Sequence, residues 1–106
     1  MSKISIALDY SETPGGRYIK DGKYSGEDFR TEMLKPSYVK AKESREKLTI
    51  DFDGSFGYPT SFIDEAFGGL AREFPEDNVL EYLDFISNEQ PSLIEDVRNA
   101  IVYFKG

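Results

Sequence analysis

The stretch from Lys47 to Phe74, KLTIDFDGSFGYPTSFIDEAFGGLAREF, leaves this chain few ways to fold. Leu48, Ile50 and Phe52 alternate with Thr49, Asp51 and Asp53, the period of a half-buried strand. A loop, GSFGYP, follows with two glycines, two aromatics and a proline. Beyond it Phe62, Ile63, Ala66, Phe67, Leu70 and Phe74 recur at the spacing of one buried helix face, and Pro75 stops the helix. Strand, polar loop and helix N-terminus in that order are how open α/β domains build a site at the carboxyl end of a strand.

The flanking segments supply the rest of a sheet. Ile4, Ile6, Leu8 and Tyr10 alternate with Ser5, Ala7 and Asp9, which predicts a first strand running through Tyr10. Arg17 to Lys20 followed by Asp21-Gly22 predicts a small hairpin strand. Ser25, with Glu27 and Asp28 in the next turn, reads as a helix N-cap, and Phe29, Met33 and Leu34 form that helix's apolar face. Pro36 is expected to interrupt it and to open a second helix over Ser37 to Glu46, packed through Tyr38, Val39 and Ala41. Leu83 to Ser87 predicts a last strand, with Val79 to Leu83 open to one more helical turn. Ser92 is expected to cap a final helix in an S-x-x-E box with Glu95, its core face being Leu93, Val97, Ala100, Ile101 and Phe104. The expected fold is therefore α/β, one domain over residues 1–106: a mixed, mainly parallel four-stranded sheet with helices mostly on one face. Strands of alternating polarity leave the other face thinly covered or meeting a partner.

Composition narrows the chemistry. Twenty acids against 13 bases give a net charge of −7, which repels nucleic acid and anionic membrane surfaces. The lysines and arginines between Lys35 and Lys47 are interleaved with Glu43 and Glu46 and read as a solvated helix face. With no Cys and no His, thiolate nucleophiles, Ser-His-Asp catalysis and most zinc sites are excluded, and no cofactor is called for. MSKISIALDY lacks the apolar run of a signal peptide, so the cytoplasm is the expected compartment.

A set of short motifs resembles a known family. Gly16-Arg17, Asp21-Gly22, Ser25-Gly26-Glu27 with Phe29-Arg30, Asp51-Phe52-Asp53-Gly54, Thr60-Ser61-Phe62 and Asp64-Glu65-Ala66-Phe67-Gly68-Gly69-Leu70 are similar to the STAS-like domains of unknown function. These are small bacterial proteins named for their likeness to sulfate-transporter and anti-sigma-factor-antagonist domains. The resemblance implies helices on one side of a mixed sheet and a regulatory role through protein contacts. In anti-sigma-factor antagonists, a partner ATPase-type kinase phosphorylates a Ser or Thr where the helix after the central strand begins. The similar position here is Thr60-Ser61.

Each candidate residue also has a plainer reading. Ser61-x-x-Asp64 is a capping box, whereas a phosphoacceptor or phosphate ligand at Thr60 or Ser61 would draw on the free N–H groups of a helix start. Arg17 either forms a surface ion pair or comes beside that helix to hold an anion, which makes a phosphate- or nucleotide-binding protein the alternative function. Asp51, Asp53, Asp64 and Glu65 are the acids from which a magnesium site would have to be drawn. Gly68-Gly69 marks close helix packing or a flat surface for a partner, and Phe56 and Tyr58 either tuck over the core or form an aromatic anchor. The leading expectation is a non-enzymatic domain that binds a protein partner through Phe56, Tyr58, Asp64, Glu65, Gly68 and Gly69. Nothing in the sequence sets its oligomeric state.

Overall fold

A computed structural model describes residues 2–103. Three strands, β1 (Ser2–Ser5), β2 (Leu48–Asp51) and β3 (Leu83–Ile86), form a sheet in the order β1-β2-β3, and both pairings are parallel. The expected four-stranded mixed sheet is corrected to three parallel strands. The missing strand is the one placed at Arg17 to Lys20, where Ile19–Asp21 instead form a single 3₁₀ turn. Asp21 closes that turn by accepting a hydrogen bond from the Tyr18 N–H at 3.0 Å, so the Asp-Gly pair caps a turn and reverses no hairpin.

Among the described residues, three long helices accompany the sheet. Helix α1 spans residues 26–44, α2 spans residues 60–73 and α3 is Ser92–Tyr103. Parallel strands in sequential order need right-handed crossovers, which place α1 and α2 on the same face of the sheet. That face buries Ile4, Leu48, Ile50 and Leu83 beneath the helices, while Lys3 and Asp84 on the other face are exposed. There Lys3 lies 3.8 Å from Asp51. No helix among the described residues is long and apolar enough to cross a membrane.

The boundaries follow local chemistry. β1 stops at Ser5, and Ile6–Tyr10 coil into one wide helical turn, which corrects the strand expected through Tyr10. Ser5 Oγ accepts from the Leu8 N–H at 3.3 Å, and Asp9 accepts from the Ser5 N–H at 2.8 Å, a reciprocal pair that outcompetes extended pairing. Ser25 caps α1 as expected, accepting from the Asp28 N–H at 3.0 Å. Pro36 does not divide that helix. The turn just before it, Arg30–Leu34, is wound as a π turn, in which the Lys35 N–H reaches back to the Arg30 carbonyl, so the ladder is already loosened where proline would disrupt it. At the other end Ser92 sits inside α3, because the Leu93 and Ile94 N–H groups bond to Gln90 and Pro91 carbonyls instead. Leu93, Val97, Ala100 and Ile101 are buried as expected, and Phe104 lies outside the described residues.

The core is aromatic. A chain of ring contacts runs from Tyr10 through Phe29 to Phe62 and Phe67, and on to Phe52 and Phe85, with centroid separations between 5.2 and 6.3 Å. Half-buried Tyr10 and buried Tyr38 carry their hydroxyls to acids: Tyr10 donates to Asp28 at 2.6 Å and Tyr38 to Asp77 at 2.7 Å. Burial first, then those carboxylates, push both phenols well above the ordinary value of 10.0. A folded-state value above the unfolded one means stability is intact below pH 10 and is lost as pH rises through the folded values. The fold should therefore unfold cooperatively above about pH 10, with the tyrosinate absorbance that a Tyr10→Phe/Tyr38→Phe variant lacks appearing together with loss of helical circular dichroism. That variant should push the transition to higher pH; ionisation of the Tyr10 and Tyr38 fraction while the helices persist would contradict the assignment.

Candidate functional site

The carboxyl ends of the three strands run into three loops that meet at one rim. The loop after β2 is held at both ends. Phe56 N–H donates to the Glu12 carbonyl at 2.9 Å, and Tyr58 Oη donates to the Phe52 carbonyl at 2.8 Å. Gly54 has φ +94°, and a Cβ there would come 3.2 Å from Ala7 Cβ, so glycine serves both the left-handed backbone and the contact with the β1 turn. Asp53 accepts from the Glu89 N–H and from Asn88 Nδ2, both at 3.0 Å, and Glu89 in turn accepts from the Gly54 N–H at 2.8 Å. The loop after β3 is thereby tied to the loop after β2.

The two loop aromatics part company. Tyr58 tucks against Phe52 and Phe62, and burial pushes its phenol up to about 12. Phe56 stands 83% exposed on a backbone fixed by hydrogen bonds. The readings of core cover and aromatic anchor thus fall to different residues.

Thr60 and Ser61 occupy the first turn of α2, with Thr60 exposed and Ser61 half-buried. The helix begins two residues earlier than a Ser61 cap requires. Extended Pro59 is the N-cap, and its carbonyl accepts from the Phe62 and Ile63 N–H groups at 3.0 and 3.3 Å. Proline's preset φ makes that start, and no side-chain cap forms. Thr60→Ala and Ser61→Ala should each change stability by less than about 0.5 kcal/mol, against the ~1 kcal/mol expected for loss of a cap. Urea denaturation of the two variants measures the difference.

Thr60 also lines a cleft of about 300 Å³ between α2 and α3, with Ile63 and Leu93 in its walls and Asp64 and Asp96 as its charged groups. Arg17 does reach α2. Its guanidinium nitrogens lie 3.8 Å from Asp64 and 3.7 Å from Glu65, so it faces two carboxylates. An anion in the cleft would meet Asp64 and Asp96 and would compete with both acids for Arg17. Nor do the four acids considered for magnesium converge: Asp53 is bonded to the loop after β3, while Asp64 and Glu65 face Arg17.

Glu65, Gly68 and Gly69 are buried, which corrects their expected place on a partner-binding surface. Arg30 covers Glu65 and Gly69. Its guanidinium lies over Gly69 and leaves no room there for a Cβ. From there it pairs with Glu65 at 2.9 Å and Glu73 at 2.8 Å and also donates to the Glu65 carbonyl. Burial alone would raise Glu73, but the hydrogen bond and charge of Lys35, together with Arg30, outweigh it and hold the carboxyl below its usual value. Arg17 and Arg72, the latter 3.8 Å from Glu65, complete a ring of three arginines around one buried acid. Sequence reasoning missed this clamp. Its one signal was a glycine pair in mid-helix, which called for something bulky pressed against it.

Residues 25–93, 69 of the 106, match a family described as STAS-like domain of unknown function (DUF4325). The match takes in the Arg30 clamp and the loop after β2, and leaves out the β1 turn and Arg17. No curated protein and no solved structure matches the chain.

Proposed function

The chain belongs to the STAS-like domain family, and from that premise we propose that it is a non-enzymatic regulatory domain that binds a protein partner at the carboxyl rim of its sheet. One observation carries this reading: Phe56 is displayed to solvent on a loop whose backbone is pinned to Glu12. An aromatic ring held outward on a fixed backbone loses little entropy on binding, which is how interface anchors work. The sequence composition supports a binding role as well, since a chain with no His and no Cys has few groups suited to proton transfer or nucleophilic attack near neutral pH.

Within this reading Thr60, exposed beside the rim, is the hydroxyl offered to a partner ATPase-type kinase; Ser61 is half-buried and less accessible. A phosphate there would add about −1.5 to −2 charges next to Asp64. The phosphate- or nucleotide-binding alternative is the weaker reading, because the same acids oppose an anion.

Phe56→Ala tests the proposal. It should leave stability within about 0.5 kcal/mol of wild type, since the ring buries little. It should also weaken a partner captured from native lysate by ~2 kcal/mol, about 30-fold. Capture lists and affinities that do not change would contradict the assignment of the surface.

A further inference from the structure

We infer that the rim's occupant is a basic polypeptide segment carrying a large apolar side chain, seated between two anchors, Leu8 and Phe56. This rests on the protein-binding reading above and gives it a partner chemistry. Leu8 and Phe56, 86% and 83% exposed, are the two most exposed large apolar side chains among the described residues. They belong to different loops of one rim. Leu8 sits in the turn after β1 and Phe56 in the loop after β2, and the loops touch where Gly54 meets Ala7 and where Glu12 accepts from Phe56. Beside Phe56 lies an open groove of about 430 Å³ walled by Thr13, Pro14, Gly57, Tyr58 and Pro59, a set without a charged side chain.

Charge selects the occupant. The three rim loops, residues 6–18, 52–59 and 87–91, contain Asp9, Glu12, Asp53 and Glu89 against one base, Arg17, whose guanidinium faces Asp64 and Glu65 of α2, although the chain as a whole has 13 bases. An apolar groove framed by one sign of charge raises the local concentration of the opposite sign and rejects its own. A second copy docked symmetrically would set these carboxylates against themselves, and an anionic lipid surface would be repelled. A basic segment satisfies both the groove and its border.

A random peptide library displayed on phage and selected on the folded chain tests this. The expected result is enrichment of Lys- or Arg-rich peptides with a large aliphatic or aromatic residue. Their affinity should fall at least tenfold in Leu8→Ser/Phe56→Ser and severalfold in Glu12→Lys, and should weaken with added salt. Circular dichroism melts of each variant confirm folding, and both anchors are exposed enough to be replaced without touching the core. Neutral or acidic peptides that still depend on Leu8 and Phe56 would overturn the basic occupant and leave the protein-binding reading standing. Peptides indifferent to both anchors would overturn the two together. Self-association by sedimentation, or capture by phosphatidylcholine or phosphatidylserine vesicles, that is abolished by the double variant would replace the basic segment with a second copy or a membrane.

Discussion

Arg30→Ala should destabilise the domain by about 3 kcal/mol, a drop in Tm on the order of 15 °C. Only 13% of the Arg30 side chain is exposed, and the Glu65 carboxylate it serves is 8% exposed. Removing the guanidinium leaves that acid inside the fold with only Arg17 and Arg72 nearby, both beyond hydrogen-bonding distance at 3.7 and 3.8 Å. It also strips a donor from the Glu65 carbonyl, in the stretch where α2 is wound as a π turn. Lysine would be a poor substitute, since one ammonium cannot reproduce the fork that spans Glu65 and Glu73. A double-mutant cycle with Glu65→Ala isolates the pair, and Lys35→Ala is the internal comparison. Lys35 is 45% exposed against Glu73, so its loss should cost under about 1 kcal/mol. An Arg30→Ala effect of that same surface size would show that the clamp does not hold the two helices.

Gly26→Ala should cost on the order of 3 kcal/mol, although alanine is the better helix former by about 1 kcal/mol. A Cβ at Gly26 would lie 2.6 Å from the Phe62 carbonyl oxygen and 3.1 Å from the Ala66 nitrogen. Both are backbone atoms of α2, so relief requires the start of α1 to lift away. That would pull apart the Phe29–Phe62 and Phe29–Phe67 contacts directly behind it. Gly22→Ala, with nothing within 4 Å, should by comparison be close to neutral. If Gly26→Ala proved neutral or stabilising under the same denaturant titration, α1 and α2 would have to cross less closely than described.

These two residues mark where sequence reasoning stopped. Hydrophobic period located β2, its loop and α2, because it depends on residues within a turn or two of one another. The Ser25 cap and the buried faces of α1 and α3 were legible for the same reason. Three local readings failed because a nearby group, a side chain in two cases and a backbone carbonyl in the third, took a backbone partner that the pattern had assigned elsewhere. Ser5 and Asp9 ended β1, Asp21 closed a turn in place of a hairpin, and Pro59 started α2 ahead of Ser61. The Arg30 clamp was illegible for a different reason. Arg30 and Glu73 are 43 residues apart, and no spacing rule connects an arginine to a glycine pair on another helix.

At the candidate site, the sequence placed Arg17 beside α2 and singled out Phe56, but it spread the binding surface over side chains that fold inward. Leu8 escaped notice because strand alternation counted it as core. The burial of Glu65, Gly68 and Gly69 sharpens the site by removing them from it. What remains is a rim of exposed apolar groups bordered by acids, standing on a scaffold that Arg30 and Gly26 hold in register.

Amide hydrogen exchange on the chain alone and bound to a captured partner puts this account to its most direct test. Added protection is expected in Ile6–Tyr10 and through the loop at residues 54–58, with α1 unchanged. Protection confined to the polar face of the sheet or to α3, with the rim loops exchanging as before, would contradict it.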